Sequence, residues 1–411
     1  MKTTLFYALV FAATAFLSCE KDSEKKATPS TPAVLDLPLK SAELISQSNS
    51  FGIDLFKKTS QVQDENLMLS PLSASTALTM LLNGCAGQTY QQIHQMLGYT
   101  TLETGEANHI YNVLVDQLIH ADGNVKLALA NAVWYRQNIL FKVPFLDTMR
   151  TSFSARVEEL DFSSPQALTT INGWASDNTF GKIPQVLSEI SPDAVMFLMN
   201  ALYFKGSWKY QFNTQLTRDM PFFPETGDAV NVPTMSGKMP VVTYAANNFT
   251  ALELPYGRGN FSMLFLLPTE GTLTDFIEGF QMEDWNSMTQ YFESASVLDT
   301  IEISIPKFKF SYEKVLNDQL QSMGMTDAFN PAVANLSGIT DESVFVSFVK
   351  QNTYIEVNEV GTEAAAVTTI GIELTSMPNS FYANKPFVFV IREKTSNTIL
   401  FIGKVLLPET E

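Results

Sequence analysis

The sequence predicts an α+β fold, and three observations carry that reading. Segments of helical and of strand periodicity are mixed along the chain without the regular βαβ alternation of a parallel α/β protein. Residues 195–204 are nearly all apolar, the mark of a central strand covered on both faces. Residues 219–268 break into several strands at the turn signals Pro-Glu-Thr-Gly-Asp, Ser-Gly-Lys, Ala-Asn-Asn and Pro-Tyr-Gly-Arg-Gly-Asn. With 411 residues, 45% of them hydrophobic and 30 of them Phe, the chain can bury a large core. One big domain or two smaller ones fit that length.

In order, residues 41–58 place Leu44, Ile45, Phe51, Leu55 and Phe56 at helical spacing. Residues 66–73 read as a short strand running into a helix, with Ser70 as N-cap and Pro71 at the first helical position. Ala74, Ala77, Leu78, Leu81 and Leu82 form the buried stripe of that helix, which Gly84 and Gly87 end. Thr89 is the expected cap of the next helix, with Ile93, Met96 and Leu97 on one face. A helix is expected around 105–120, a strand over 126–135 and a helix carrying Trp174 over 165–180. Asn200, inside the apolar run, needs hydrogen-bond partners. Residues 272–293 read as helical. Ile301, Ile303 and Ile305 alternate into Lys307-Phe-Lys-Phe310, and a helix is expected over 313–323. Strands are expected over 345–357, 387–392 and 399–405.

Composition excludes several function classes. Charged residues make up 17% and the net charge is −17, which argues against a nucleic-acid partner. The three His (His94, His109, His120) lack ligand spacing, and with two Cys no zinc pattern forms. No metal or cofactor is expected. Cys85 reads as a small packed residue near a helix end. Residues 1–18 read as an export signal: Lys2, then a short apolar run over 5–17, then Ser18-Cys19 and a polar segment. The pattern is similar to a bacterial lipoprotein signal in which Cys19 is lipidated, with Phe16 where Leu is usual; an ordinary secretory signal is the alternative. Residues 19–37 read as a flexible tether and 38–411 as the folded domain.

One stretch stands out. Beyond Gly361, the positions Thr362, Ala364, Ala366, Thr368, Ile370, Ile372 and Leu374 are uncharged and grow steadily more apolar. The alternate positions hold Glu363, Ala365 and Glu373. This is the alternation of a strand buried on one face. It follows another strand-like run across a Gly hinge and so can pair beside it. A piece of helix over 363–367 and an ordinary edge strand are the plain alternatives. The enzyme motifs HExxH, GxSxG, a Walker loop and dinucleotide GxGxxG are missing from the sequence. The chain is therefore read as not an enzyme.

Four motifs together resemble the serpin family over residues 41–408: NLMLSPLSASTAL (66–78), MNALYFKGSW (199–208), IEVNEVGTEAAA (355–366), and NKPFVFVI (384–391) with FIGKV (401–405). The resemblance implies a large central mixed or antiparallel sheet, further sheets, about nine helices and an exposed reactive-centre loop at about 360–380. It implies a loop hinge at Glu359, Gly361, Thr362, Glu363, Ala364, Ala365 and Ala366, of which Thr362, Ala364 and Ala366 are small enough to enter a sheet. The family spacing puts the reactive bond fourteen residues beyond Gly361, at Thr375-Ser376. It further implies a shutter at Ser70, Ser73, Asn200 and Gln351, where many members have His in place of Gln351. A breach is implied at Trp208, Lys307 and Glu359, with Val360 where a charged residue is common.

The function implied is inhibition of a serine endopeptidase as a suicide substrate. The protease acylates itself on Thr375 and is carried off as the loop inserts into the sheet. Thr375 suits the shallow apolar pocket of an elastase-like or subtilisin-like protease; a one-residue slip to Leu374 favours a chymotrypsin-like one. Cysteine proteases are further possible partners. The chain is expected to be monomeric and exported, lipid-anchored to a bacterial outer membrane or cell surface, or else periplasmic or secreted. The alternative function is that of a non-inhibitory family member acting as an extracellular binding or carrier protein.

Overall fold

The computed structural model describes residues 32–295, 299–362 and 380–409. Helix α1 (Ser41–Ser60) buries Leu44, Ile45, Phe51, Leu55 and Phe56, as its periodicity requires. Strand β1 (Leu67–Leu69) leads directly into α2 (Pro71–Leu82). The Ser70 hydroxyl caps α2 by accepting from Ser73 N at 3.2 Å. Its predicted stripe is buried except for Ala77, which is half-buried. Helix α3 (Gly87–Met96) starts before Thr89, so Thr89 is not its cap. Thr89 Oγ1 instead accepts from Asn335 N at 3.0 Å. A capping box of Glu103 and Glu106 opens α4 (Thr104–His120).

Strand β2 (Val125–Arg136) is followed by α5 (Val143–Phe153) and β3 (Arg156–Leu160), two elements the sequence reading missed. Helix α5 is short, and β3 is a charged edge strand with no apolar alternation. Helix α6 (Pro165–Asn178) carries Trp174 and precedes β4 (Met196–Ser207), the apolar strand. Strands β5 (Arg218–Phe222), β6 (Val230–Ala245), β7 (Phe249–Pro255) and β8 (Phe261–Pro268) follow. The expected helix over 272–293 is two helices, α7 (Leu273–Gly279) and α8 (Met282–Ser294), each with its own capping box. Strands β9 (Asp299–Pro306) and β10 (Phe308–Val315) come next. Because β10 runs to Val315, helix α9 (Asn317–Ser322) is shorter than predicted. The chain closes with β11 (Lys350–Val357), β12 (Gly361–Thr362), β13 (Ser380–Tyr382), β14 (Phe387–Glu393) and β15 (Thr398–Val405). Residues 345–349, expected to be strand, precede β11 as irregular chain.

Two sheets organise these elements, with nine α-helices among the described residues. One runs β1-β15-β14-β8-β7-β6-β9-β13, with β5 also on β6. The other runs β10-β11-β12-β4-β2-β3. The segment 32–37, which ends the predicted tether, lies against the body. Ala33 N donates to Asn260 Oδ1 at 2.9 Å, and Asn260 Nδ2 donates back to Ala33 O at 2.8 Å.

The first sheet contains an ionic knot built on the buried Glu253 and Arg392. Arg392 Nη2 donates to Glu253 Oε1 at 2.9 Å, and Lys394 Nζ to Glu253 Oε2 at 2.6 Å. Burial alone would raise the Glu253 pKa, but the attraction of Arg392 and Lys394 outweighs it and holds the carboxyl below its usual range. Removing one partner of a buried pair costs about 3–5 kcal/mol. The R392M variant is expected near the low end, since Lys394 remains, and should lower the urea midpoint of unfolding. Because the Glu253 pKa is depressed in the fold, its contribution is present above the unfolded carboxylate pKa and lost as pH falls through the lower folded value.

Candidate functional site

The site begins where β11 ends. Asn358 N donates to Gly361 O (3.0 Å) and Gly361 N to Asn358 O (3.2 Å), so the chain reverses within four residues. Asn358 Oδ1 also accepts from Val360 N at 3.1 Å. The returning residues form β12, which pairs antiparallel with both neighbours: Thr362 stands opposite Val357 on β11 and Gly206 on β4. Thr362, the described residue after the Gly hinge, pairs beside the strand it follows; the rest of that stretch lies outside the described residues. Only glycine fits at 361. Its φ is +155°, and a Cβ there would stand 2.1 Å from Gly206 O.

Below β12 the two neighbours separate. Since β12 is antiparallel to both, β11 and β4 run parallel to each other, yet among the described residues they share no ladder. A cavity of about 240 Å³ lies in the gap, its wall including Ser73, Asn200, Gln351 and Phe348. This explains why the first half of β4 is only half-buried instead of covered on both faces.

The top of the gap is held by a cluster around Trp208. The indole stacks on Tyr256, with ring centroids 4.4 Å apart and planes 13° apart. Its Nε1 donates to Asn358 O at 2.9 Å, and its backbone N to Val360 O at 2.8 Å. Thr362 is buried and its hydroxyl lies 2.6 Å from Tyr256 OH. Lys307 Nζ lies 3.1 Å from Glu359 Oε2, and Thr217 Oγ1 donates to Glu359 Oε1 at 2.8 Å. Trp208, Lys307 and Glu359 thus come together. Burial pushes the Glu359 pKa up, but its backbone hydrogen bond, Thr217 and Lys307 together leave it below the usual value.

Midway down, Gln351 is clamped onto the start of α2. Ser70 N donates to Gln351 Oε1 at 3.1 Å, and Gln351 Nε2 donates to Ser70 O at 2.8 Å. One amide therefore satisfies both backbone groups of a single buried residue. Thr353 Oγ1 adds a bond to Met68 O at 2.8 Å. Asn200 stands apart from this set, on the opposite side of the gap. Its Nδ2 donates to Asn131 Oδ1 at 2.6 Å, and its buried Oδ1 has no partner among the described residues.

Glu363, Ala364, Ala365, Ala366, Thr375, Ser376 and Cys19 lie outside the described residues. Sequence reasoning missed Tyr256, Thr217, Asn131 and Gly206. The first three act through long-range contacts that leave no local pattern. Gly206, within the 199–208 motif, was legible as a glycine interrupting a strand. Of the His residues, His94 Nε2 bonds Leu102 O (3.0 Å) and His120 pairs with Asp116 (3.4 Å), both away from the gap. Burial raises the Cys85 thiol pKa to about 12.

The family model for Serpin (serine protease inhibitor) matches residues 46–408. A serpin-like protein of Methanosarcina mazei is 33% identical over 388 residues, covering 89% of this chain and 88% of its own. The leukocyte elastase inhibitor of Xenopus laevis is 35% identical over 384 residues, covering 89% and 99%. Among solved structures, the thermophilic serpin Tengpin in its native state is similar with TM-score 0.81 at 28% identity, covering 92% of this chain and 97% of its own. Human thyroxine-binding globulin complexed with thyroxine also gives 0.81, at 26% identity, covering 90% and 100%.

The Glu359 carboxylate ties the hinge turn to Lys307 and Thr217, and its pKa is lowered. Its contribution is therefore complete above the unfolded carboxylate pKa and lost as pH falls through the lower folded value. An acid titration of tryptophan emission should show a transition below the usual carboxylate range. The E359Q variant should lack that transition and resemble the acid form at neutral pH. A transition unchanged in E359Q would assign it to another group.

Proposed function

The chain belongs to the serpin family, and from that premise we propose that it is an irreversible inhibitor of serine endopeptidases that acts as a suicide substrate. The observation that carries the reading is β12: two residues of the hinge already lie as a strand between β11 and β4, above the cavity between those strands.

The register of β12 supports insertion of the residues beyond Thr362. Each step onward from Thr362 is one step back along β4 from Gly206 and along β11 from Val357. In the inserted form Ala364 then meets Phe204 and Ile355, and Ala366 meets Leu202 and Thr353. Thr368 arrives between Asn200 and Gln351, where its hydroxyl can serve the unpartnered Asn200 Oδ1. Glu363 falls on the other face beside Lys205. Every position directed to the core is small or uncharged, so insertion buries no charge there.

The chemistry proceeds from the protease serine, which attacks the carbonyl of Thr375 and forms an acyl-enzyme while Ser376 becomes a new N-terminus. Insertion of the loop outruns hydrolysis and carries the bound protease to the far end of the sheet. The native form is then held by a kinetic barrier. Thr375 favours an elastase-like or subtilisin-like target, and a cysteine protease can be trapped through the same acyl chemistry. The protein works as a monomer, is exported, and is anchored by a lipid on Cys19 to the bacterial outer membrane or cell surface.

The likeness to thyroxine-binding globulin keeps a carrier as the second reading. Protein lacking residues 1–18 should be mixed with pancreatic elastase or subtilisin and followed by denaturing gel and intact mass. An SDS-resistant complex with a released fragment beginning at Ser376 is expected. The A364R variant, which must desolvate a charge at about several kcal/mol to insert, should be cleaved at the same bond without retaining the protease. Clean cleavage of the parent protein with no complex, across several protease classes, would favour the carrier.

A further inference from the structure

A second cavity, of about 450 Å³, opens beside the end of β4, and its wall includes Asn124, Ser207, Trp208, Lys209, Gln211 and Lys238. Its volume falls within the range of about 300–1,000 Å³ that small-molecule sites occupy. In a chain of net charge −17, two cations in one wall call for explanation. Neither Lys209 nor Lys238 forms an ion pair among the described residues. Glu302, opposite Lys238 in the β6–β9 register, accepts from Tyr382 OH at 3.1 Å. The nearby buried carboxylate of Asp122 faces backbone donors, accepting from Asn124 N (2.9 Å) and Arg258 N (2.6 Å). On the same wall the buried Gln211 Oε1 has no donor. The cavity thus presents two cations outside any ion pair among the described residues, with Glu302 across the ladder from Lys238, and one acceptor without a donor.

We infer that this cavity binds a small anionic ligand of the phosphate- or sulfate-ester class. The acidic group lies between Lys209 and Lys238, the organic part fills the remaining volume, and a hydroxyl or N–H of the ligand reaches Gln211. The site is coupled to the hinge by contact. Ser207 stands opposite Gly361 in register, and Trp208 N donates to Val360 O at 2.8 Å. A ligand touching Ser207 and Trp208 therefore bears on the residues that hold β12 in place.

The test is calorimetric titration at low ionic strength of the protein lacking residues 1–18, using inorganic phosphate, glucose 6-phosphate and glucose 6-sulfate as probes. Saturable one-site binding is expected, tighter for the esters than for inorganic phosphate, weakened by 0.15 M salt and accompanied by a change in tryptophan emission. The K209A/K238A double variant should lose about tenfold or more in affinity, and the single variant K238E should lose a similar factor. A K57A/K58A control, which removes two charges from the end of α1, should bind within about twofold of the parent. Absence of saturable binding, equal affinity in parent and double variant, or equal affinity for inorganic phosphate and the esters would overturn the assignment. These readouts require no protease, so they stand or fall separately from the inhibitory reading.

Discussion

Everything distinctive in this structure depends on two parallel strands that share no ladder among the described residues. Strands β11 and β4 are each paired on their outer side, over eight and eleven residue pairs respectively, and among the described residues only β12 stands between them. Backbone N–H and C=O groups facing such a gap lack the partners that a sheet normally supplies. A strand that fills the gap must be antiparallel to both walls, and a hairpin from the end of β11 enters with that polarity. The turn Asn358–Gly361 therefore fixes the direction of any further insertion before a third residue has entered. The close approach of Gly361 to Gly206 O fixes the lateral position as well.

Two different contacts keep the gap in its present state. At the top, the Trp208–Tyr256 stack, the Glu359–Lys307 pair and the hydroxyl contact of Thr362 bind the turn to β4 and to the first sheet, whose strand β7 leads into Tyr256. In the middle, Gln351 and Thr353 bind β11 to the backbone that leads into α2. The middle contact does not cross the gap from β11 to β4, whereas the upper one does, since Trp208 at the end of β4 donates to Asn358 O and Val360 O. Asn200 faces the gap from the β4 side and is held only by Asn131. In the middle the two walls are thus anchored to different parts of the body, while at the top Trp208 and β12 tie them together.

Much of this was legible in the sequence because it rests on local signals. The Ser70-Pro71 start of α2, the amphipathic face of α1 and the strand alternation of 301–310 each come from spacing and side-chain chemistry. The Gly hinge after a strand run was legible too, and so was its capacity to fold back. Most of what escaped depends on tertiary context. Thr89 has the chemistry of a cap but bonds to Asn335, far along the chain. Helix α5 has a legible stripe of Phe145, Leu146, Met149 and Phe153 that the sequence reading passed over, whereas β3 is short and lacks apolar alternation. The half-exposure of β4 contradicts its apolar composition because its missing neighbour is a property of the fold and not of its residues. Tyr256 and Thr217, which complete the cluster around Trp208 and Glu359, contribute single side chains from distant segments.

The chemistry of the two anchors bears on how the gap responds to its surroundings. The upper anchor includes an ionised carboxylate, whose charge is lost only at acid pH. The middle anchor uses the neutral amide of Gln351, which donates and accepts at once and does not titrate. An imidazole there would change charge between about pH 5 and 8, and the three His of the chain lie instead on α3 and α4. Around neutral pH, then, neither anchor changes protonation, and the barrier to opening rests on packing and hydrogen bonds of constant strength. Acid acts on the upper anchor alone. It would loosen the hinge turn first, while the grip of β11 on α2 persists.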